Sequence, residues 1–232
     1  MQKEKLLIIV PYRNRKENLS LFIPHMEKWI KEQNINFSIL ISEQSDDGEW
    51  FNKGSIINCG FTEIKEKSDY VCIHDVDMIP SSKKDCNYSY SKSPIHLASR
   101  VQQFGYKLHS KNYWGGVIMC TNQMFEKANG FSNLYTGWGK EDIDFGVRLQ
   151  KCKYKIYRRN GRYDSLKHEK HKWHTSKPFD KSLLDKNRKL MHMMRNGEHD
   201  FRKDGLNTVK YKIIKNEKIS EHSEKITFLL IK

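Results

Sequence analysis

Apolar residues in the first half of the chain fall into two alternating periods. Leu6 to Val10 is an unbroken apolar run of strand length, stopped by Pro11. Leu19, Phe22, Ile23, Met26 and Ile30 then recur at helical spacing, with Pro24 predicting a kink or restart. Phe37 to Ile41 reads as a second strand and Gln44 to Glu49 as a polar turn. A helix opens at Phe51-Asn52-Lys53 with Ile56, Ile57, Phe61 and Ile64 on its buried face. Tyr70 to Ile73 is a third strand, bounded by Ser68-Asp69 and Pro80. The β-α-β order predicts a parallel sheet with right-handed crossovers.

The second half is more polar. Ser81 to Ser93 reads as a loop and Ile95 to Val101 as a returning strand. In the strand-like run from Asn112 to Met119, paired glycines at 115 and 116 mark either a close approach to the backbone or a core crossing. Thr121 can cap a short helix through Lys127, ended by Asn129-Gly130. A helix is expected over Glu141 to Lys151, a basic strand over Tyr154 to Arg158 and a basic amphipathic stretch over Phe179 to Gly197. Two late strands, Thr208 to Ile214 and Ile226 to Ile231, close the chain.

A length of 232 residues fits one domain or two abutting halves. No apolar run approaches the roughly 18 residues of a membrane span, and the N-terminus enters a strand directly, so neither a span nor a signal peptide is expected. Five scattered cysteines with no Cys-x-x-Cys pair argue for a reducing compartment and against a zinc ribbon or disulfide framework. The net charge is +14, and residues 151–232 hold 23 basic and 10 acidic side chains. Such a one-sided field suits phosphates, an anionic membrane or nucleic acid. No nucleic-acid motif accompanies it, and aromatic residues do not interleave the charges, so no nucleic acid is expected as partner.

The candidate chemistry sits at strand ends. Asp75 and Asp77 follow the third strand, where ligands of open α/β sheets bind, and two carboxylates so close need a cation or hydrogen bonds; a capped turn is the plainer reading. Pro11-Tyr12-Arg13-Asn14-Arg15 offers a ring and two guanidinium groups to a nucleotide diphosphate, or is a solvated loop. Phe51 and Lys53 could touch the same nucleotide. Gly137-Trp138-Gly139 can swing an aromatic ring over a ligand. Glu141 and Asp142 complement the dipole of the following helix, and the same dipole keeps a carboxylate ready to accept a proton. His168, His171 and His174 are spaced three apart, and one of them could complete a metal site begun by Asp77.

The order of these blocks carries more than any one of them. Pro-Tyr-Arg-Asn-Arg (11–15), Phe-Asn-Lys (51–53) with Asn58-Cys59-Gly60-Phe61, Asp-Val-Asp-Met-Ile-Pro (75–80), Tyr-Trp-Gly-Gly-Val (113–117), Asn129-Gly130-Phe131, Gly-Trp-Gly-Lys-Glu-Asp-Ile-Asp (137–144) and Asp204-Gly205-Leu206-Asn207 together resemble the catalytic domain of the β1,4-galactosyltransferase family, over nearly the whole chain. The resemblance implies a GT-A fold: an α/β, Rossmann-like, mostly parallel central sheet with flanking helices and a small additional sheet. It implies a single catalytic domain, with residues 1–110 as nucleotide-binding half and 111–232 as acceptor-binding half.

The implied reaction is an inverting, manganese-assisted transfer of galactose from UDP-galactose to a glycan hydroxyl. By the resemblance, Pro11, Tyr12, Arg13, Arg15, Phe51 and Lys53 would hold uridine and diphosphate, and Asp75 and Val76 the ribose. Asp77 and His168 would ligate Mn2+, Gly116 and Trp138 would border the donor sugar, and Asp142 would be the general base. Glu141 would position the acceptor and Phe179 line its far side. Tyr113 occupies the donor-choice position, where a bulky ring goes with galactose and a smaller side chain admits an N-acetyl group, as in a UDP-N-acetylgalactosamine transferase building a capsular polymer.

The chain departs from the family pattern in three places. Ser165 stands where many animal members have a methionine ligand, leaving the third metal position to water or His171. Ile143 replaces a second acidic residue that grips the acceptor, which removes a sugar hydrogen bond. No counterpart of the family's anchor and stem is expected. The expectation is therefore a bacterial-type cytoplasmic enzyme of lipopolysaccharide or capsule synthesis. It would rest on the inner membrane face, its basic last third toward anionic lipid or a lipid-linked acceptor.

Overall fold

The computed structural model describes residues 4–82, 84–167 and 180–231. Its elements in chain order are β1 (Lys5–Tyr12), α1 (Lys16–Lys31), β2 (Asn36–Gln44), α2 (Lys53–Ile64), β3 (Tyr70–His74), β4 (Met78–Pro80), β5 (Ile95–His96) and β6 (Arg100–Val101). There follow β7 (Val117–Thr121), α3 (Asn122–Lys127), α4 (Glu141–Lys151), β8 (Tyr157–Arg158), β9 (Arg162–Ser165), α5 (Lys181–Asn196), β10 (Tyr211–Lys218) and β11 (Ser223–Leu230).

Eight strands form one sheet in the order β10-β11-β2-β1-β3-β7-β5-β8, and three form a second in the order β4-β9-β6. The centre is parallel, with β1 paired to β2 from Lys5↔Asn36 to Tyr12↔Glu43 and to β3 from Leu6↔Tyr70 to Ile9↔Ile73. Its flanks are not: β7 runs antiparallel to β3 and β5, and β10 antiparallel to β11. The α/β, GT-A-like architecture expected from the resemblance holds, with the sheet mixed rather than parallel throughout.

The unbroken apolar run of β1 has a direct cause: both faces of the sheet are covered. Leu6, Ile8 and Val10 pack under α1 with Phe22, Met26 and Ile30. Leu7 and Ile9 pack on the other face with Ile57 and Phe61 of α2, Phe125 of α3 and Phe145 and Leu149 of α4. Several boundaries differ from expectation. Pro11 does not end β1, because it still pairs with Ser42 while the β3 side has already run out at Ile9, an edge position that tolerates proline. Nor does Pro24 interrupt α1, which is continuous around it.

The strand expected over 95–101 is two strands in different sheets. Leu97 and Ala98 both donate to the Val117 carbonyl, Ser99 turns back onto the Leu97 carbonyl at 2.7 Å, and Arg100 then joins Gly161 in the smaller sheet. The strand expected from Tyr154 starts later, because Tyr154 donates to the Leu149 carbonyl and still closes α4. β9 is too polar for an apolar pattern to mark it, and the strand expected over Thr208 to Ile214 is found displaced toward the C-terminus as β10. Among the described residues no helix is long and apolar enough to cross a membrane. All five cysteines are free, four of them buried.

Two histidines of this sheet, His74 and His96, are fully buried, and burial pushes each imidazole down to about 4. The unfolded chain takes up these protons near pH 6.5 while the folded chain does not until about 4, so the stability present above pH 6.5 is lost as pH falls through that window. His96→Asn should reduce the loss of unfolding free energy between pH 7 and pH 4, measured with urea, by up to about 3 kcal/mol. A loss identical to that of the wild type would show that His96 does not contribute.

Candidate active site

β1 and β3 end together at the carboxyl edge of the sheet, and the residues that follow them converge there. The register that pairs Ile9 with Ile73 brings Asp75 level with Pro11, two residues further along each strand. The Asp75 amide donates to the Gly116 carbonyl at 2.9 Å and the Leu166 amide to the Asp77 carbonyl at 2.8 Å, so the turn is held from both sides. The Arg13 side chain is buried, donates to the Glu49 carbonyl at 2.9 Å and lies 5.4 Å from the centroid of the Phe51 ring. Burial lowers the affinity of the Arg15 guanidinium for its proton, and the nearby Asp77 and Asp75 oppose that shift.

Lys53 opens α2, whose N-cap Asn52 accepts from the Ser55 amide. Its ammonium, on a side chain only 13% exposed, is 2.9 Å from Asp75 Oδ1, 2.9 and 3.1 Å from the two Asp142 carboxylate oxygens, and 3.6 Å from Glu141 Oε1. Desolvation works against the Lys53 charge, but the three carboxylates raise its proton affinity well above the usual lysine range. Desolvation, opposed by Lys53 and reinforced by Asp142 and Asp77, pushes Asp75 up to about 6. Glu141 rises to about 7 through desolvation and the Asp142 charge, again opposed by Lys53.

Glu141 and Asp142 form the first turn of α4, whose position depends on a buried ionic knot. Arg148, fully buried, meets Asp144 at 2.5 Å and donates to the Asp204 carbonyl at 2.6 Å and to the Asp204 carboxylate at 3.1 Å. The Asp204 carboxylate also accepts from Ser132 Oγ and, at 3.0 Å, from the Asn133 amide. Gly205 follows at φ +149°, where an added Cβ would lie 2.0 Å from the Asn129 carbonyl oxygen. The side chains of Asn129 and Asn207 close the joint, since Asn129 Nδ2 donates to Asn207 Oδ1 at 2.7 Å. The Asp-Gly-Leu-Asn block thus holds α4 in place.

On the N-terminal side of α4, Gly137 and Gly139 adopt φ of +73° and +97°, and Lys140 follows at +83°. Trp138 between them is 58% exposed. Asn187 of α5 ties down the loop by donating to the carbonyls of Thr136 and Trp138.

The glycine pair at 115 and 116 is a close approach, not a bare crossing. A Cβ on Gly115 would lie 2.7 Å from Asp142 Oδ2 and 2.9 Å from the Tyr113 ring, and one on Gly116, at φ +86°, would strike Met78 Sδ at 2.5 Å. Missing side chains here give Asp142 and Tyr113 their room. The Tyr113 ring stands edge-on to His96, 5.5 Å between centroids. Burial, aided by Asp75 and Asp142, raises its hydroxyl pKa.

His74, next to Asp75, anchors the turn through a chain with one consistent proton arrangement. Its Nδ1 lies 3.0 Å from the Asp75 carbonyl, which can only accept, so Nδ1 carries the hydrogen. Nε2 then accepts from the Tyr88 hydroxyl at 2.9 Å, which itself accepts from Tyr163 at 3.0 Å. Sequence reading missed this trio and the Arg148 knot. The four-residue spacing of Asp144 and Arg148 was a legible signal for the second, whereas nothing local links His74 to Tyr163.

A divalent cation fits the edge in part. Asp77 offers a carboxylate, and β9, paired to β4 from Met78↔Ser165 to Pro80↔Tyr163, delivers the chain beside it just before residue 168. Ser165 is occupied structurally, its hydroxyl accepting from the Gln103 amide. His168, His171 and Phe179 lie outside the described residues. Among the described ones no three His, Cys, Asp or Glu side chains are arranged to hold a metal ion.

Arg13, Arg15, Lys53, Asp75, Asp77, Tyr113, Gly116, Glu141 and Asp142 are thus brought to one edge, from positions spread over 130 residues. Tyr12, Phe51 and Val76 differ: their side chains are packed into the two cores, which leaves their backbones as the parts nearer the edge.

Comparison with known proteins bears on this edge. Residues 1–90 match the N-terminal region of glycosyl transferase group 7, and residues 95–172 match a family described as the N-terminal domain of galactosyltransferase. β1,4-Galactosyltransferase 7 of Drosophila melanogaster is 34% identical over 98% of this chain and 69% of its own length. A Lymnaea stagnalis β-N-acetyl-D-glucosaminide β-1,4-N-acetylglucosaminyl-transferase is 37% identical over 75% of this chain, which spans only 36% of that protein. These relatives are animal proteins and lend nothing to a bacterial-type reading. The crystal structure of a Drosophila β1,4-galactosyltransferase 7 mutant in complex with manganese, UDP-Gal and xylobiose superposes with a TM-score of 0.80 at 31% identity, covering 99% of this chain and 95% of that one.

The shared ammonium makes a prediction of its own. Lys53→Met should cost about 3 kcal/mol of unfolding free energy at pH 8, where three carboxylates lose their counter-charge. The cost should be smaller at pH 5, where Asp75 and Glu141 hold protons in the folded state. Urea unfolding at the two pH values checks this, and equal losses at both would contradict the electrostatic account.

Proposed function

Because the chain belongs to the β1,4-galactosyltransferase family, we propose that it transfers galactose from UDP-galactose to a glycan hydroxyl, with inversion and a β1,4-type linkage, using manganese as divalent cation. The observation that carries the reading is the placement of Asp142: on the first turn of α4, against the bare backbone of Gly115, at the sheet edge that also holds Arg13, Arg15, Asp75 and Asp77. The fly enzyme's complex with manganese, UDP-Gal and xylobiose supports it.

In this proposal residues 1–110 bind the nucleotide and 111–232 the acceptor. Pro11, Tyr12, Arg13, Arg15 and Phe51 hold uridine and diphosphate, Asp75 and Val76 face the ribose, and Gly116 and Trp138 border the sugar. Asp77, His168 and His171 would hold the cation, which when bound supplies positive charge to the departing diphosphate. Lys53 has two partners to choose between. With no donor bound it holds both oxygens of Asp142, and a diphosphate arriving beside Arg13 and Arg15 offers it more negative charge. Asp142 is then free to accept the proton of the attacking hydroxyl. Glu141, at about 7, hydrogen-bonds the acceptor beside it, and Phe179 would close the far side.

A donor bearing an N-acetyl group, UDP-N-acetylgalactosamine, is the second reading. The snail relative's transfer of an N-acetylhexosamine favours it, and Tyr113, wedged against His96, stands against it. The finer placement, a cytoplasmic enzyme against an anionic membrane with a lipid-linked acceptor of capsule or lipopolysaccharide type, draws only on the basic last third of the chain.

UDP release from the two donors across a panel of acceptor sugars, with and without manganese, tests the proposal. Manganese-dependent release favouring galactose is expected, and Asp142→Asn should slow it by about 10²–10⁴-fold with little change in the donor KM. Release unchanged in that variant would remove Asp142 from the chemistry. Tyr113→Leu should shift the donor ratio toward UDP-N-acetylgalactosamine by about tenfold, the scale of one well-placed steric contact; an unaltered ratio would place donor choice elsewhere.

A further inference from the structure

A pocket of about 450 Å³, within the size range of ligand sites, is lined by Ile143, the residue that follows Asp142 in the chain. One wall is a face of α4, where Ile143 and Val147 lie four apart, and the other is Asn112 and the edge of Trp114. Trp114 is fixed there, because Gly146 of α4 has no side chain to displace it and the Arg158 guanidinium lies 4.0 Å from its ring centroid. The near end of the pocket is therefore apolar and rigid.

The far end is cationic: Lys151, Lys153 and Arg195 line it, and no carboxylate does. None of the three side chains makes an ion pair among the described residues, whereas Arg148 and Lys53, whose partners Asp144 and Asp142 lie on α4, are both matched by acids. Lys153 takes a left-handed φ of +69° at the end of α4, a position usually left to glycine or asparagine. Ile143 and Lys151 are eight residues apart on one helix, so their backbones lie about 12 Å apart at 1.5 Å per residue. A second cavity, about 580 Å³, shares Lys151 and Lys153 and continues past His199 to Asp200 and Arg202, which pair with each other at 2.8 Å. A solvated lysine surface would not require an apolar wall beside a cation pair shared by two cavities.

We propose that the acceptor is an anionic glycan, whose phosphate or carboxylate, further along α4 than the reacting sugar, is held by Lys151, Lys153 and Arg195. The inference rests on the reading that the acceptor reaches Asp142 along α4. Ile143 suits such a substrate: an uncharged side chain at the mouth of the pocket does not repel a passing anion. Position 143 then selects by omission and the three cations by attraction.

Titration calorimetry on the intact chain with manganese tests this with four probes: UDP, chitotetraose as the neutral glycan, a tetrasaccharide alternating glucuronic acid and N-acetylglucosamine, and chitotetraose 1-phosphate. At low salt at least one anionic probe should bind about tenfold more tightly than chitotetraose, with the advantage falling as salt rises. The stronger of the two identifies carboxylate or phosphate as the group. The advantage should vanish in the triple variant Lys151→Gln, Lys153→Gln, Arg195→Gln, and single variants should each remove part of it. Equal affinity for neutral and anionic probes, or an advantage that survives the triple variant, overturns the subsite. UDP binding by the wild type separates the two readings. UDP bound without an anionic preference leaves the transferase standing and sinks the subsite, while no UDP binding counts against the transferase whatever the glycans do.

Discussion

The ammonium of Lys53 is the single charge toward which Asp75, Glu141 and Asp142 all turn, and the edge of this molecule is built around that imbalance. Three carboxylates in partly desolvated surroundings cannot all be ionised against one cation without cost. The protein meets the excess by letting Asp75 and Glu141 keep protons up to about 6 and 7. A site so arranged is short of positive charge before any ligand arrives. That makes it receptive to a divalent ion and, through Arg13 and Arg15, to a phosphate-bearing partner that rearranges the same charges.

Such a cluster is useful only if its members are held rigidly, and two buried polar assemblies do this from opposite sides. Arg148, with Asp144 and Asp204, locks the helix bearing Glu141 and Asp142 to the loop at 129–133. His74, Tyr88 and Tyr163 lock the turn bearing Asp75 and Asp77 to the small sheet. Both are fully or nearly fully buried, where an unsatisfied partner is costly, so each imposes one geometry. The sheet between them supplies the reference frame, since its central strands end within two residues of one another at this edge.

Much of this was legible in the chain. The central strands and α1, α2 and α4 announce themselves because each has an apolar stripe or run that both cores demand, and α3 because Thr121 and Asn129-Gly130 cap its ends. The residues gathered at the sheet edge were legible because the motifs that carry them are local: Asp-x-Asp after a strand, glycines around Trp138, acids at a helix start. Partnership was not legible. Lys53 reads as a nucleotide contact, and nothing local shows that it is also the counter-charge of a residue 89 positions later. For Tyr12, Phe51 and Val76, read as nucleotide contacts, the packing of the side chains into the two cores was not legible, because a motif specifies residue type and leaves side-chain direction to packing. Short strands with polar sequences, such as Arg162–Ser165, escaped for the same reason, since their pairing is decided by neighbours distant in sequence.

The pairing of β11 with β2 has a temporal side. β2 lies between β1 and β11, and the contact of Thr227 with Glu43 joins positions 184 apart. As the chain leaves the ribosome, β1, α1 and β2 can assemble early, but β2 keeps an open, apolar parallel edge until the last hairpin has been made. For most of its synthesis the nascent protein therefore exposes a strand that any extended segment could occupy. Lys212, Lys215, Glu217 and Lys218 of that hairpin then close the sheet with an edge whose charges, flanking the exposed Ile213 and Ile214, discourage a further strand.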